Sequence, residues 1–138
     1  MSDLTIQFKI VTPERTVFED TVDQATLPVT DGEVTILPNH RSYIASMKAG
    51  EIMIKKGGEE ILLSTSGGFL EFAGNELVIL ADTAERAEEI DLKRAEEAKA
   101  RAEKLKGEAT VAAAIQKHAA RIQVARKHYT KKGIRMGE

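Results

Sequence analysis

The chain has no cysteine and no tryptophan, only three prolines, and 4% aromatic residues in 138 positions. Without thiols it can build no disulfide scaffold, no thiolate metal site and no cysteine nucleophile. No stretch approaches the roughly 20 apolar residues of a membrane-spanning helix. Met1-Ser2-Asp3-Leu4 lacks the basic-then-apolar pattern of a secretory leader, so a soluble, cytoplasm-compatible protein is expected. His40, His118 and His128 lie in separate contexts, with no His-x-x-x-His spacing, which argues against a metal site. There is no G-x-S-x-G elbow and no G-x-x-x-x-G-K-[ST] phosphate cradle. No catalytic residue is nominated, and an enzyme is not expected.

What is present divides into two halves. The net charge of −2 conceals an acidic front and a basic end. Residues 1–82 carry 6 Lys+Arg against 13 Asp+Glu, whereas residues 83–138 carry 14 against 9. The last 28 residues hold 7 basic side chains and Glu138 alone, a balance of +6. Such a split implies two surfaces with different partners. The cationic end fits phosphates or an acidic protein surface, and with only Tyr129 to stack on a base the protein surface is the favoured reading.

The prolines and seven of the ten glycines precede residue 83, and 13 alanines follow it. The front therefore reads as short strands and turns, and the back as helix. Ile6, Phe8 and Ile10 alternate with polar residues; Val17–Val22 and Ala25–Val29 follow, with Pro28 marking a strand end or edge. Ile52–Lys56, Gly57-Gly58 and Ile61–Ser64 form one hairpin, and Phe69–Phe72 with Leu77–Ala81 a second, while Ser66-Gly67-Gly68 reads as a turn. Behind them, Asp91 can cap a helix striped by Leu92, Ala95, Ala98, Ala102 and Leu105 and stopped by Gly107. Thr110 can cap a second, striped by Val111, Ile115, Ala119 (or His118), Ile122, Ala125 and Tyr129. The fold class expected is α+β: an antiparallel β-sandwich over residues 1–84, then an antiparallel helical hairpin over 85–138. Alanine propagates helix but buries little area, so the hairpin is either a movable arm or one simply docked on the sandwich.

Several segments, in order, resemble a known family. Gly32–His40 (GEVTILPNH) resembles G-E-[IL]-G-I-L-P-x-H, and Ser66–Glu71 (SGGFLE) resembles S-G-G-[FI]-x-E. Leu80–Ala87 (LADTAERA) is similar to L-A-D-x-A-x-R, and Ile90–Ala95 (IDLKRA) to I-D-x-x-R-A. Together they resemble the epsilon subunit of bacterial F-type ATP synthase over essentially the whole chain. Thr35 stands where the family has Gly, and Arg41-Ser42-Tyr43 where it commonly has Ala-Pro-Leu.

The resemblance implies a sandwich of about ten short strands and a non-catalytic central-rotor subunit that couples proton translocation to ATP synthesis. Its partners would be the gamma subunit, the ring of c subunits, and the alpha and beta subunits, with no nucleic acid. Its place would be the cytoplasmic face of the plasma membrane, associated with it only through the complex. The hairpin would inhibit ATP hydrolysis, with Arg121, Arg126 and Lys127 meeting an acidic segment of beta. Glu33 and His40 would belong to the loop facing the c-ring and gamma. No cofactor is required, but ATP as a regulatory ligand is implied by Asp91, Arg94 and Arg101 on the first helix and Arg121 on the second. Lys117 stands there in place of arginine, and loses its planar fork for phosphate. The competing reading is a stand-alone sandwich with a basic arm for nucleic acid or an acidic partner.

Overall fold

A computed structural model describes residues 5–104 and 109–131. Eight strands come first: β1 (Ile6–Val11), β2 (Thr16–Val22), β3 (Gln24–Val29), β4 (Gly32–Ile36), β5 (Tyr43–Met47), β6 (Gly50–Lys56), β7 (Glu59–Ala73) and β8 (Glu76–Arg86). A 3-10 turn, Ala87–Glu89, leads to α1 (Leu92–Lys104) and α2 (Ala109–Lys131).

The strands run in the order β2-β1-β8-β7-β5-β3-β4, with β6 bridging β3 and β7, so one hydrogen-bonded sheet folds over on itself. All pairs are antiparallel except β1 with β8, which come from opposite ends of the sandwich and share no hairpin turn. The alternation read in β1 holds: Ile6, Phe8 and Ile10 are buried, joined in one core by Leu27, Ile52, Ile54, Leu63, Leu70, Phe72, Leu77 and Ile79. Pro28 falls near the end of β3, after the last pair with β6 (Thr26–Met53) and before the single pair with β5 (Val29–Met47). There its missing N–H interrupts no ladder between those two neighbours.

The described residues hold eight strands rather than about ten, and one of the expected boundaries disappears because Gly67-Gly68 is not a turn between strands. Both glycines lie inside the 15-residue β7, at φ 123° and 145°. A Cβ on Gly68 would stand 2.1 Å from the Leu80 carbonyl oxygen. The pair makes a bulge that bends β7, so residues 59–65 pair with β6 and residues 68–72 with β5, while β8 follows along the bend. Side chains lock the bulge: Thr65 Oγ1 accepts from Gly67 N at 3.1 Å and donates to Thr83 O at 3.1 Å. Ser66 Oγ accepts from Thr83 N at 3.1 Å. β5 had no counterpart among the expected strands.

Where β8 ends, the chain is anchored to β2. Arg86 lies over the Phe18 ring, 5.2 Å from its centroid, and its Nε donates to Val17 O at 3.3 Å. Glu89 accepts from Arg86 N at 3.1 Å and pairs with Arg15 Nη2 at 3.2 Å. Lys56 and Asp20 tie β6 to β2, and this hydrogen bond holds the Asp20 carboxyl below the usual carboxylate range.

Asp91 caps α1 as expected, its Oδ1 accepting from Arg94 N at 3.1 Å. α2 begins at Ala109, so Thr110 falls inside the helix rather than at its cap. Gly107 and Leu105 lie outside the described residues, as do the side chains of Val111 and Tyr129. Ala95 and Ala102 of the first stripe are buried, and so are Ile122 and Ala125 of the second. Ala120 and Val124 are buried as well, because α2 packs against both α1 and the β6–β7 side of the sandwich.

Candidate functional site

The hairpin meets the sandwich in a small apolar seam bordered by ion pairs. Leu62, Ala87 and Ile90 supply one side, and Ala95, Ile122, Val124 and Ala125 the other, with Met53 and Leu92 packed against them. Three of these seven buried side chains are alanine, which adds little burial; Ile122 and Val124 are the larger contributors from α2, at about 1.5–3 kcal/mol each.

Around the seam, three cations of α2 each hold a carboxylate of the same chain. Arg121, with 17% of its side chain exposed, places Nε 2.7 Å from Glu85 Oε1 on β8. That N–H points off the line to the oxygen, so the contact is ionic, and the aligned hydrogen bond runs from Nη2 to Oε2 at 3.3 Å. Lys127 donates to Glu51 Oε1 of β6 at 3.2 Å and stands 2.9 Å from its Oε2. Arg126 reaches Glu96 of α1 at 3.4 Å, an exposed contact. The three residues expected to meet an acidic segment of another subunit are thus all engaged within the chain. Glu51, Glu85 and Glu96 were not singled out from sequence: their partners lie 76, 36 and 30 residues away, and no local pattern signals them.

Of the five residues nominated for a nucleotide, Arg121 of α2 contacts His118, whose Nδ1 lies 2.9 Å from Arg121 Nη1, and the charges of Lys117 and of Arg101 on α1 also act on that imidazole. Burial pushes the His118 imidazole below the ordinary histidine value, and the Arg121 and Lys117 charges push it further down. Asp91 and Arg94 sit at the N-terminus of α1, where the bond between them is the cap itself. On α1 Lys99 and Glu103 form an i,i+4 ion pair at 3.7 Å. Among the described residues no cluster of three His, Asp or Glu side chains is placed to hold a metal ion.

The Gly32–His40 segment comprises β4 and the turn that follows it. Glu33 is exposed, paired in register with Pro28. His40 is half-buried, edge-on to Tyr43 and Phe72 at 6.0 and 5.9 Å, with Nδ1 donating to Arg41 O at 2.7 Å. Asn39 and Asn75, both left-handed at φ 68° and 58°, clasp each other. Asn39 N donates to Asn75 Oδ1 at 2.6 Å, and Asn75 Nδ2 to Asn39 Oδ1 at 3.0 Å. The loop is thereby fastened to the turn between β7 and β8.

The outer sheet face carries a feature that strand reading passed over. Phe69 and Leu80 are directly opposite each other on β7 and β8, at 60% and 59% exposure, and Ile44 lies diagonally across β5 at 72%. Neighbouring large apolar side chains left in water mark a contact surface. The signal was available in β7: with Leu70 and Phe72 facing the core, alternation sends Phe69 outward.

Residues 5–87 match the family model described as ATP synthase, Delta/Epsilon chain, beta-sandwich domain. The ATP synthase epsilon chain of Dehalococcoides mccartyi is 51% identical over 98 residues, 71% of this chain and 70% of that protein. That of Desulforamulus reducens is 44% identical over 99 residues, 72% and 75% of the respective chains. Among solved structures, a chain of the Euglena gracilis mitochondrial ATP synthase (OSCP/F1/c-ring) superposes with a TM-score of 0.68 at 17% identity, covering 94% of this chain and 82% of that one. A chain from the central stalk/c-ring structure of the Tetrahymena thermophila enzyme gives a TM-score of 0.52 at 14% identity. At those identities the likeness is one of fold. The matched sandwich and the relatives' identity rest on different comparisons and agree: the chain belongs to the ATP synthase epsilon chain family.

Proposed function

We propose that the chain is a non-catalytic rotor subunit of an F-type ATP synthase, coupling proton translocation to ATP synthesis and restraining hydrolysis through its hairpin. The sandwich binds gamma through the Ile44–Phe69–Leu80 face and meets the c-ring through the loop bearing Glu33 and His40. The complex places it at the cytoplasmic face of the plasma membrane, as a peripheral subunit; no helix among the described residues is long and apolar enough to cross one. Family membership favours this reading over a stand-alone binding module.

The observation that carries the regulatory half is the ion-pair set on α2. Arg121, Arg126 and Lys127 are held by Glu85, Glu96 and Glu51, carboxylates that an acidic segment of beta would replace. Exchanging one set of carboxylates for another costs little net charge energy, which lets a modest apolar seam decide where the hairpin rests. Folded back, the hairpin occupies its own cations; extended along gamma, it offers them to beta. ATP would act as a regulatory ligand of the folded hairpin, its phosphates competing with Glu85 for Arg121 beside Arg101 and Lys117.

The test is hydrolysis by the reconstituted complex. Glu51→Gln with Glu85→Gln removes the competing carboxylates and should deepen inhibition, on the order of tenfold. Reversing the charges of Arg121, Arg126 and Lys127 together should relieve it. Hydrolysis unchanged by both sets would overturn the proposal. Isothermal titration with ATP decides the ligand, and no heat at millimolar nucleotide would remove it.

A further inference from the structure

His118 stands one helical turn before Arg121, at the place where α2 meets β8, and the two side chains share a hydrogen bond of 2.9 Å between Nδ1 and Nη1. A guanidinium only donates and does not lose its proton in a protein, so Nδ1 must accept. The imidazole in this contact is therefore neutral, with its proton on Nε2. Arg121 uses its remaining nitrogens on Glu85. The charges facing the ring are Lys117 and Arg121 from its own helix, Arg101 from α1 and Glu85 from β8. Three cations are thus answered by one carboxylate.

We propose that His118 is a proton-operated latch: neutral, it steadies Arg121 on Glu85 and the hairpin on the sandwich; protonated, it loosens both. A proton taken up at Nδ1 occupies the lone pair that receives the Arg121 N–H, so two donors confront each other. It also adds a fourth positive charge where a single carboxylate is available. The imidazolium must turn away, or Arg121 must leave Glu85. Burial and the neighbouring cations already hold this group below its ordinary value of about 6.5. A depressed histidine stabilises the docked form fully above that ordinary value, and the contribution is lost as pH falls through the lower value of the docked state. Acidification therefore favours release. The latch is a property of the chain alone; its use as a control on hydrolysis rests on the movable-hairpin reading given above.

The absence of native cysteine allows the test to be made on the full chain. Lys48→Cys and Gln123→Cys, both at exposed positions, take a pair of distance labels on sandwich and hairpin. Between about pH 8 and pH 5.5, above the range where ordinary carboxylates titrate, the docked-to-free ratio should fall about five- to tenfold. His118→Gln keeps an acceptor for Arg121 but cannot titrate, and should flatten the profile. A pH-independent wild-type ratio, or a His118→Gln profile that matches wild type, would overturn the latch. A second measurement survives a variant that fails to dock: followed by its ring resonances, His118 should titrate at higher pH in the undocked Ile122→Asp chain than in wild type, and equal titration overturns the proposal. Because these readouts need no other subunit, pH-dependent docking without any effect on the assembled enzyme would sink the regulatory reading and leave the latch standing.

Discussion

Gly68 shows how much of this fold hangs on single residues without function of their own. Its φ of 145° and the 2.1 Å approach to the Leu80 carbonyl leave no room for a side chain. Gly68→Ala should destabilise the sandwich by about 2 kcal/mol or more, read as a lowered denaturation midpoint. Gly74→Ala, at φ 57° with nothing within 4 Å of its Cβ, should cost less. If the two variants melt alike, the bulge is not what requires glycine there. The same position explains a limit on reading the chain: two adjacent glycines after Ser66 look like a turn, and only the partner strands reveal a bend. Asp91, by contrast, was legible, because a cap acts on the N–H three residues on and leaves its mark in local sequence.

Among the elements, strands with one buried face declared themselves. β1 alternates cleanly, and β6 with the start of β7 encloses a Gly-Gly turn. β5 did not, because Tyr43–Met47 is short, mixes small and large residues, and takes its identity from pairing with β7. The two helices were legible from composition and spacing, but the way they dock was not. α2 buries Val124 and Ala120 outside its expected stripe because it serves two neighbours at once. The seam should therefore respond to α2 more than to the alanines of α1. Ile122→Ala is expected to weaken docking by about 2 kcal/mol, raising hydrogen exchange across α2 while leaving the unfolding of the sandwich unchanged. A matching loss of sandwich stability would show that hairpin and sandwich unfold together.

At the level of the whole molecule, two surfaces face different ways of working. The Ile44–Phe69–Leu80 face is apolar and lies on the sheet, suited to a lasting contact. Three cations of α2 are answered by carboxylates of the same chain, which in the proposed mechanism suits them to a contact that comes and goes. Phe69→Ser with Leu80→Ser should leave the fold intact by circular dichroism and reduce copurification with gamma at least tenfold. Undiminished recovery with gamma would assign that face elsewhere. The split of charge along the chain implied two surfaces with different partners; it gave no sign of the apolar sheet face, and it could not say that the cationic end spends part of its charge on the chain itself.

The clamp of residues 86–89 onto β2 has a mechanical consequence. Arg86 and Glu89 are each held from two sides, so the chain is immobilised up to the end of the 3-10 turn and resumes as rigid helix at Leu92. Only Ile90 and Asp91 lie between. If the hairpin swings as proposed, its fulcrum is those two residues, and with α1 and α2 about 20 and 35 Å long the tip would travel far for a small change in their backbone angles. A stiffened joint at that point would silence the lever without touching a single one of its charges.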